Sequence, residues 1–155
     1  LPPSVSISVT IPDDLMIIAD KQRIQQAFLN LIKNGIEAIS GEGTVSITAR
    51  KHRAIDKAAD DTSITNYLRY RGKCTLEDDT VDIEIRDSGE GIPADLLPKV
   101  FDPFFTTKDV GKGSGLGLFI VHEIIEEHDG CIAVDSELGK GTAFLIRLPV
   151  KEPAR

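Results

Sequence analysis

The sequence predicts an α+β domain, a two-layer α/β sandwich in which a mixed, mostly antiparallel sheet of about five strands carries about three helices on one face. Three observations lead there. Runs at 4–12, 43–50 and 81–87 alternate apolar and polar residues with period two, and two further apolar-rich runs, 131–137 and 142–149, close the chain. Segments at 24–39 and 116–128 repeat apolar residues at steps of three and four. Glycine- and proline-rich stretches punctuate these runs. The chain of 155 residues shows no internal repeat and fits one domain with a real core.

In chain order, SVSISVTIP (4–12) reads as a strand that Pro12 stops. Ile24, Ala27, Phe28, Leu31, Ile32, Gly35, Ile36 and Ile39 then form one helical stripe, with Asp20 as N-cap and Ser40-Gly41 as the stop. GTVSITAR (43–50) pairs with VDIEIRD (81–87) as antiparallel strands. Residues 51–80 between them are highly charged and lack a sustained period, which predicts an insertion or long hairpin loop in solvent, or else a site of its own. PADLLPKV (93–100) predicts a short helix, and FDPFFTTKDVGKGSG (101–115) a loop. A last helix, Leu116 to His128, is capped by Gly130. CIAVDSE (131–137) and TAFLIRLP (142–149) make a hairpin around Leu-Gly-Lys-Gly.

Composition narrows the function. Eighteen basic against 25 acidic residues leave a net charge of −7, a poor balance for gripping nucleic acid. Any polyanion must be met by a local device. Cys74 and Cys131 form no CxxC, so two inert thiols in a reducing compartment are expected. No apolar run approaches a membrane span. The chain begins at Leu1 in mid-strand, as a domain cut from a longer protein would.

Three constellations carry chemistry. Val81, Ile83 and Ile85 point inward, and the same parity turns Asp87 toward the core. A buried carboxylate without a partner costs several kcal/mol, so Asp87 either caps its own Ser-Gly turn or waits for a ligand's N–H donors. Gly89 and Gly91 after it would let the backbone approach a flat ligand. Asn30 and Asn34 lie one turn apart on the first helix, beside Gln26, Lys33 and Glu37 and away from the stripe. They are either a solvated face or amide oxygens for a hard cation such as Mg²⁺, which needs few protein ligands when phosphates complete its shell. GKGSGLGL (111–118) opens a helix with free amides for an anion, flanked by Lys108 and Lys112. It is neither a P-loop nor GxGxxG. Together they describe an adenine nucleotide with Mg²⁺.

The order NLIKNGIEAI, DSGEGIP, FDPFFTTK, GKGSGLGL resembles the N, G1, F and G2 boxes of bacterial sensor histidine kinases. These belong to the superfamily that also holds gyrase-type topoisomerases, heat-shock chaperones and mismatch-repair ATPases. The resemblance covers residues 26–118 and the terminal GTAFLIRLP, leaving residues 51–80 outside the pattern. It implies the Bergerat-type ATP-binding fold and a catalytic domain that passes the ATP γ-phosphate to a histidine on another domain.

By resemblance, Asn34 would ligate Mg²⁺, with Asn30 close to metal and phosphates. Asp87 would accept from the adenine amino group, and Gly89, Gly91 and Ile92 would line the base. Residues 101–117 would be the ATP lid. The amides of Gly113, Ser114, Gly115, Leu116, Gly117 and Leu118 would hold phosphate oxygens, with Lys108 supplying positive charge. Thr142 matches a position near adenine and shares inward parity with Phe144, Ile146 and Leu148. Phe104 and Phe105 would dock lid or partner surface, or else pack in the core.

Hydrolysing members of the superfamily carry a Glu one turn before the metal-binding Asn. Here that place is Asn30, which cannot take a proton, and this favours transfer over hydrolysis. Glu37 stands where some kinases carry a basic phosphate contact, which shifts that role to Lys108. His52, His122 and His128 lack the acceptor context, so the phosphorylated histidine is expected on an upstream dimerisation domain. A response regulator is the implied partner, the fragment itself being monomeric and the full-length kinase a homodimer. The domain is expected in the cytoplasm, with the full-length protein cytoplasmic or anchored in the inner membrane. An ATP-hydrolysing switch and a non-catalytic nucleotide-binding module are the competing readings.

Overall fold

The computed structural model describes residues 4–53, 79–105 and 116–150, together with the backbone of 68–69. The strands are β1 Val5–Thr10, β2 Gly43–His52, β3 Leu68–Arg69, β4 Thr80–Asp87, β5 Cys131–Glu137 and β6 Gly141–Pro149. The helices are α1 Lys21–Glu37 and α2 Gly117–Glu127. One sheet runs in the order β1-β2-β4-β6-β5-β3, with β1 parallel to β2 and every other pair antiparallel. The α+β sandwich is as expected. Of the three expected helices, the one in PADLLPKV is only a 3₁₀ turn, Leu97–Lys99, because Pro98 denies an α-helix its amide there.

The segment 51–80 is not all insertion. β2 runs on to His52, β4 begins at Thr80, and Leu68 and Arg69 pair with Val134 and Ala133, adding a short edge strand beside β5. That crossing brings the segment to the far edge of the sheet. The expectation of inert thiols fails in the same place. Cys131, the first residue of β5, is disulfide-bonded, and none of the cysteines in the described residues is free. Cys74 lies outside the described residues.

The core forms where both helices meet one face of the sheet. Ile24, Ala27 and Leu31 of α1 and Val121, Ile124 and Ile125 of α2 pack over Val45, Ile83, Ile85, Val134, Phe144 and Ile146. Asp20 caps α1 through Oδ1, which accepts from the Arg23 amide at 3.2 Å. α2 ends differently from the expected glycine cap. Asp129, at φ 58°, takes the left-handed position. The Asp129 amide donates to Glu126 O and the Gly130 amide to Ile125 O, the paired bonds of a Schellman motif. His128 joins the two helices: Nδ1 donates to Ile124 O at 2.7 Å and Nε2 accepts from the Asp20 amide at 3.0 Å. His122 is buried against Phe101.

The opposite face holds a second buried set. Thr80, Asp82, Arg147 and His52 are each at most 3 % exposed. Arg147 grips Asp82 with two bonds, Nε to Oδ1 at 3.0 Å and Nη2 to Oδ2 at 2.9 Å. Thr80 Oγ1 donates to Asp82 Oδ1 at 2.8 Å. His52 Nδ1 lies 2.9 Å from both Asp82 Oδ2 and Arg147 Nη2. Asp82 and Arg147 face each other directly across β4 and β6. Alternation alone assigns Asp82 to solvent, and the structure buries it.

Removing one partner strands the other charge without water, which costs about 3–5 kcal/mol. Asp82→Ala is thus expected to lower urea-denaturation stability by that order. Arg86→Ala, which breaks the exposed Glu84 pair at 3.0 Å, should change it by less than about 1 kcal/mol. Equal effects for the two variants would refute the burial of the Asp82 network.

Candidate functional site

The site begins where α1 comes closest to the sheet. At Gly35 a Cβ would stand 3.3 Å from Asp87 Cβ and 3.3 Å from Val45 Cγ2, so the absent side chain lets α1 lie tight against the end of β4. Asn30 and Asn34 flank the buried stripe, both half-buried, while Gln26 and Lys33 are exposed. Asn30 Nδ2 donates to Gly117 O at 3.4 Å, tying α1 to the first turn of α2. Asn30 Oδ1 and the Asn34 side chain have no hydrogen bond among the described residues. Glu37 reaches Lys33 Nζ at 3.9 Å, a weak surface contact.

Asp87 closes β4 and is buried, opposite Thr142 of β6. Its Oδ1 accepts from the Gly89 amide at 2.9 Å and the Thr142 amide at 3.3 Å. Oδ2 has no partner among the described residues. Burial pushes the Asp87 carboxyl above the ordinary aspartate range, against the pull of the Gly89 and Thr142 amides and of Arg86. One oxygen thus makes the turn, as the capping reading expects, while the other makes no hydrogen bond among the described residues.

The glycines after Asp87 answer to protein as well as ligand. A Cβ on Gly89 would lie 2.6 Å from Ala38 O. On Gly91, at φ 78°, it would meet Glu137 O at 2.2 Å. Approach of a ligand is thus not needed to explain either glycine. The loop is held further by the Glu90 amide on Ala38 O and the Ile92 amide on Ser136 Oγ at 2.7 Å.

Ser136 was not apparent as a site residue. Its hydroxyl lies 3.0 Å from Gly141 O, to which it donates, and 2.8 Å from Thr142 Oγ1. It therefore joins the Asp87 loop to the β5–β6 hairpin. The available signal was a hydroxyl paired with Thr142 across that hairpin.

Leu116, Gly117 and Leu118 open α2, half-buried, and no side chain caps that end. Its amides carry the positive end of the helix beside Asn30. Lys108, Gly113, Ser114 and Gly115 lie outside the described residues, as does most of the expected lid. At the lid's foot the phenylalanines divide. Phe101 is fully buried between His122 and Phe144, Phe105 packs on the core, and Phe104 is 73 % exposed at φ 66°.

An apolar cavity of about 270 Å³ lies elsewhere, between β1, the loop before α1, and residues such as Met16, Phe28, Ile32 and Ile83. It holds no titratable group. The polar chemistry gathers instead at Asp87, Asn30, Asn34, Thr142 and the start of α2. Two amide side chains, a half-satisfied carboxylate and an uncapped helix end form a donor set suited to a hard cation, an N–H-bearing ligand and an anion, in that order.

Residues 19–152 match the family described as histidine kinase-, DNA gyrase B- and HSP90-like ATPase. The sensor kinase CckA of Brucella abortus is 45 % identical over 131 residues, 84 % of this chain and 13 % of that protein. The sensor histidine kinase ZraS of Escherichia coli K12 is 40 % identical over 141 residues, 91 % of this chain and 24 % of its own. This chain therefore spans only an eighth to a quarter of these two relatives' length. Among solved structures, the nucleotide-free catalytic domain of the histidine kinase ThkA superposes with a TM-score of 0.66 at 30 % identity, covering 95 % of this chain and 80 % of that one. Full-length ShkA, solved with AMPPNP, gives 0.68 at 25 % identity, covering 97 % of this chain and 27 % of that one. With the match across residues 19–152 and the shared fold in agreement, this chain belongs to the histidine kinase-like ATPase family.

Proposed function

We propose that this chain is the ATP-binding catalytic domain of a two-component sensor histidine kinase. The observation that carries the proposal is Asp87: a buried carboxylate at a strand end, one oxygen engaged by backbone amides and the other without a partner among the described residues. Such an acceptor suits the exocyclic amino group of adenine and disfavours guanine, whose corresponding group is a carbonyl. Ile92, Gly91 and Thr142 would border the base.

Asn34, with Asn30 beside it, would hold Mg²⁺ through amide oxygens. The ion would supply neutralisation of charge on the phosphates. Asn30 bridges to Gly117 and so sets the phosphate end of the site against the start of α2. The amides from Gly113 to Leu118 and the Lys108 ammonium would complete the phosphate contacts. No side chain at Asn30 or Asn34 can act as general base, so these residues position and do not activate water. The nucleophile is a histidine imidazole on a dimerisation domain outside this chain, and a response regulator takes the phosphoryl group onward. The full-length protein would act as a homodimer with this domain in the cytoplasm. Among the described residues no helix is long and apolar enough to cross a membrane.

Calorimetry with ATP and GTP tests the adenine contact. Asp87→Asn replaces a pure acceptor with a mixed group and is expected to remove most of the adenine preference. Retained selectivity would reject the pose. The same substitution relieves an unfavourable burial. A carboxyl whose folded pKa is raised is penalised above its unfolded pKa, and the penalty disappears as it protonates. Asp87→Asn should therefore melt no lower than the wild type near neutral pH, and the wild type should gain on the variant as pH falls through the raised pKa. A wild-type advantage that grows with rising pH would contradict this.

Asn34→Ala is expected to weaken ATP binding chiefly in the presence of Mg²⁺, by about ten-fold or more if the direct ligand is lost. Equal weakening with and without Mg²⁺ would remove Asn34 from the metal shell. Transfer itself is tested by adding a histidine-bearing helical domain in trans and measuring acid-labile phosphate. Steady-state ATP hydrolysis by the isolated chain, with no phosphohistidine formed, would favour a hydrolytic switch instead.

A further inference from the structure

We propose that His122, Glu123 and Glu126 of α2 form a binding site for a divalent transition ion of the zinc class, apart from the nucleotide site. One ligand atom from each residue lies within 4.8 Å of the others. His122 Nδ1 is 3.5 Å from Glu123 Oε1 and 3.9 Å from Glu126 Oε2. Those separations are at or past the limit of a good hydrogen bond. The shorter one is close to the tetrahedral edge of about 3.4 Å around an ion with bonds of about 2.1 Å, and the exposed glutamates can close the remaining gap by side-chain rotation. The helix puts His122 and Glu126 on one face at i and i+4, and Glu123 reaches in from beside them.

The imidazole is the second observation, independent of the carboxylates. His122 is only 4 % exposed, and its ring sits 6.0 Å, centroid to centroid, from the fully buried Phe101. A ring held this way has little rotamer freedom left to lose on ligation. Glu123 and Glu126 remain 44 % and 57 % exposed as side chains, which leaves the ion a route in from solvent.

The ligand set selects the metal class. One nitrogen and two carboxylates suit Zn²⁺, Co²⁺, Ni²⁺ or Cu²⁺, whereas Mg²⁺ prefers oxygen alone in an octahedron. A neutral imidazole and two carboxylates sum to −2, which the ion neutralises. Three protein ligands leave a fourth position for water. Because Nδ1 must be unprotonated to bind, proton and metal compete for it. A bound ion would fix the ring that packs on Phe101, the first residue of segment 101–117.

Zn²⁺ titrated calorimetrically into the whole, metal-free chain is expected to bind at one ion per chain with micromolar affinity, and Co²⁺ to develop visible d–d absorption. Glu123→Gln and Glu126→Gln are solvent-accessible and should fold with unchanged Tm in the absence of metal, yet each should weaken Zn²⁺ by about ten-fold or more. Three results would overturn the site: no Zn²⁺ binding at millimolar ion, wild-type affinity in the Glu123→Gln/Glu126→Gln double variant, or displacement by millimolar Mg²⁺.

Discussion

The structure turns on a carboxylate kept out of water and only half satisfied. Asp87 sits where apolar parity would put a valine, and two backbone amides hold one of its oxygens. Much of the surrounding architecture exists to hold that arrangement. Gly35 lets α1 lie against it, Gly91 lets the following loop pass beneath the β5–β6 turn, and Ser136 binds that loop to the hairpin. The burial that raises the carboxyl's pKa is also what leaves its second oxygen short of partners. Affinity for a donor and a penalty on the empty fold are one property of one atom group.

Around that point the site is assembled from ends of elements. β4 contributes its last residue, β6 its second, α1 its flank and α2 its first turn. Strands and helices are stiff, so their ends are placed by the whole core. The bond from Asn30 to Gly117 O links the amide face of α1 to the start of α2. It joins the face read as metal-binding to the helix end read as phosphate-binding.

Most of this was legible because periodicity and parity are local. The stripe from Ile24 to Ile39 predicts α1, and the run Val81, Ile83, Ile85 correctly turns Asp87 inward. What was not legible depends on the third dimension. Asp82 reads as solvent-facing because alternation cannot see that Arg147, 65 residues later, arrives opposite it. Cys131 reads as a free thiol because no CxxC or other close spacing announces the disulfide it makes. Pro98 reduces the expected helix to a 3₁₀ turn, and Asp129, not Gly130, takes the left-handed position that ends α2. Gly130 is needed instead because a Cβ would stand 2.6 Å from Arg147 O. Gly89 and Gly91 read in sequence as room for a ligand, yet each is already required by neighbouring backbone.

The ion pair between Asp82 and Arg147 has one more effect. These two are direct neighbours across β4 and β6, as are Asp87 and Thr142 further along the same two strands. If β4 slid by a single residue, Asp82 would be driven among the aliphatic side chains, Arg147 would lose its counter-charge, and Asp87 would swing outward. A misaligned chain therefore suffers at both ends simultaneously. The buried charges proofread the alignment that puts the acceptor in its place, from the far end of the strand and without touching any ligand.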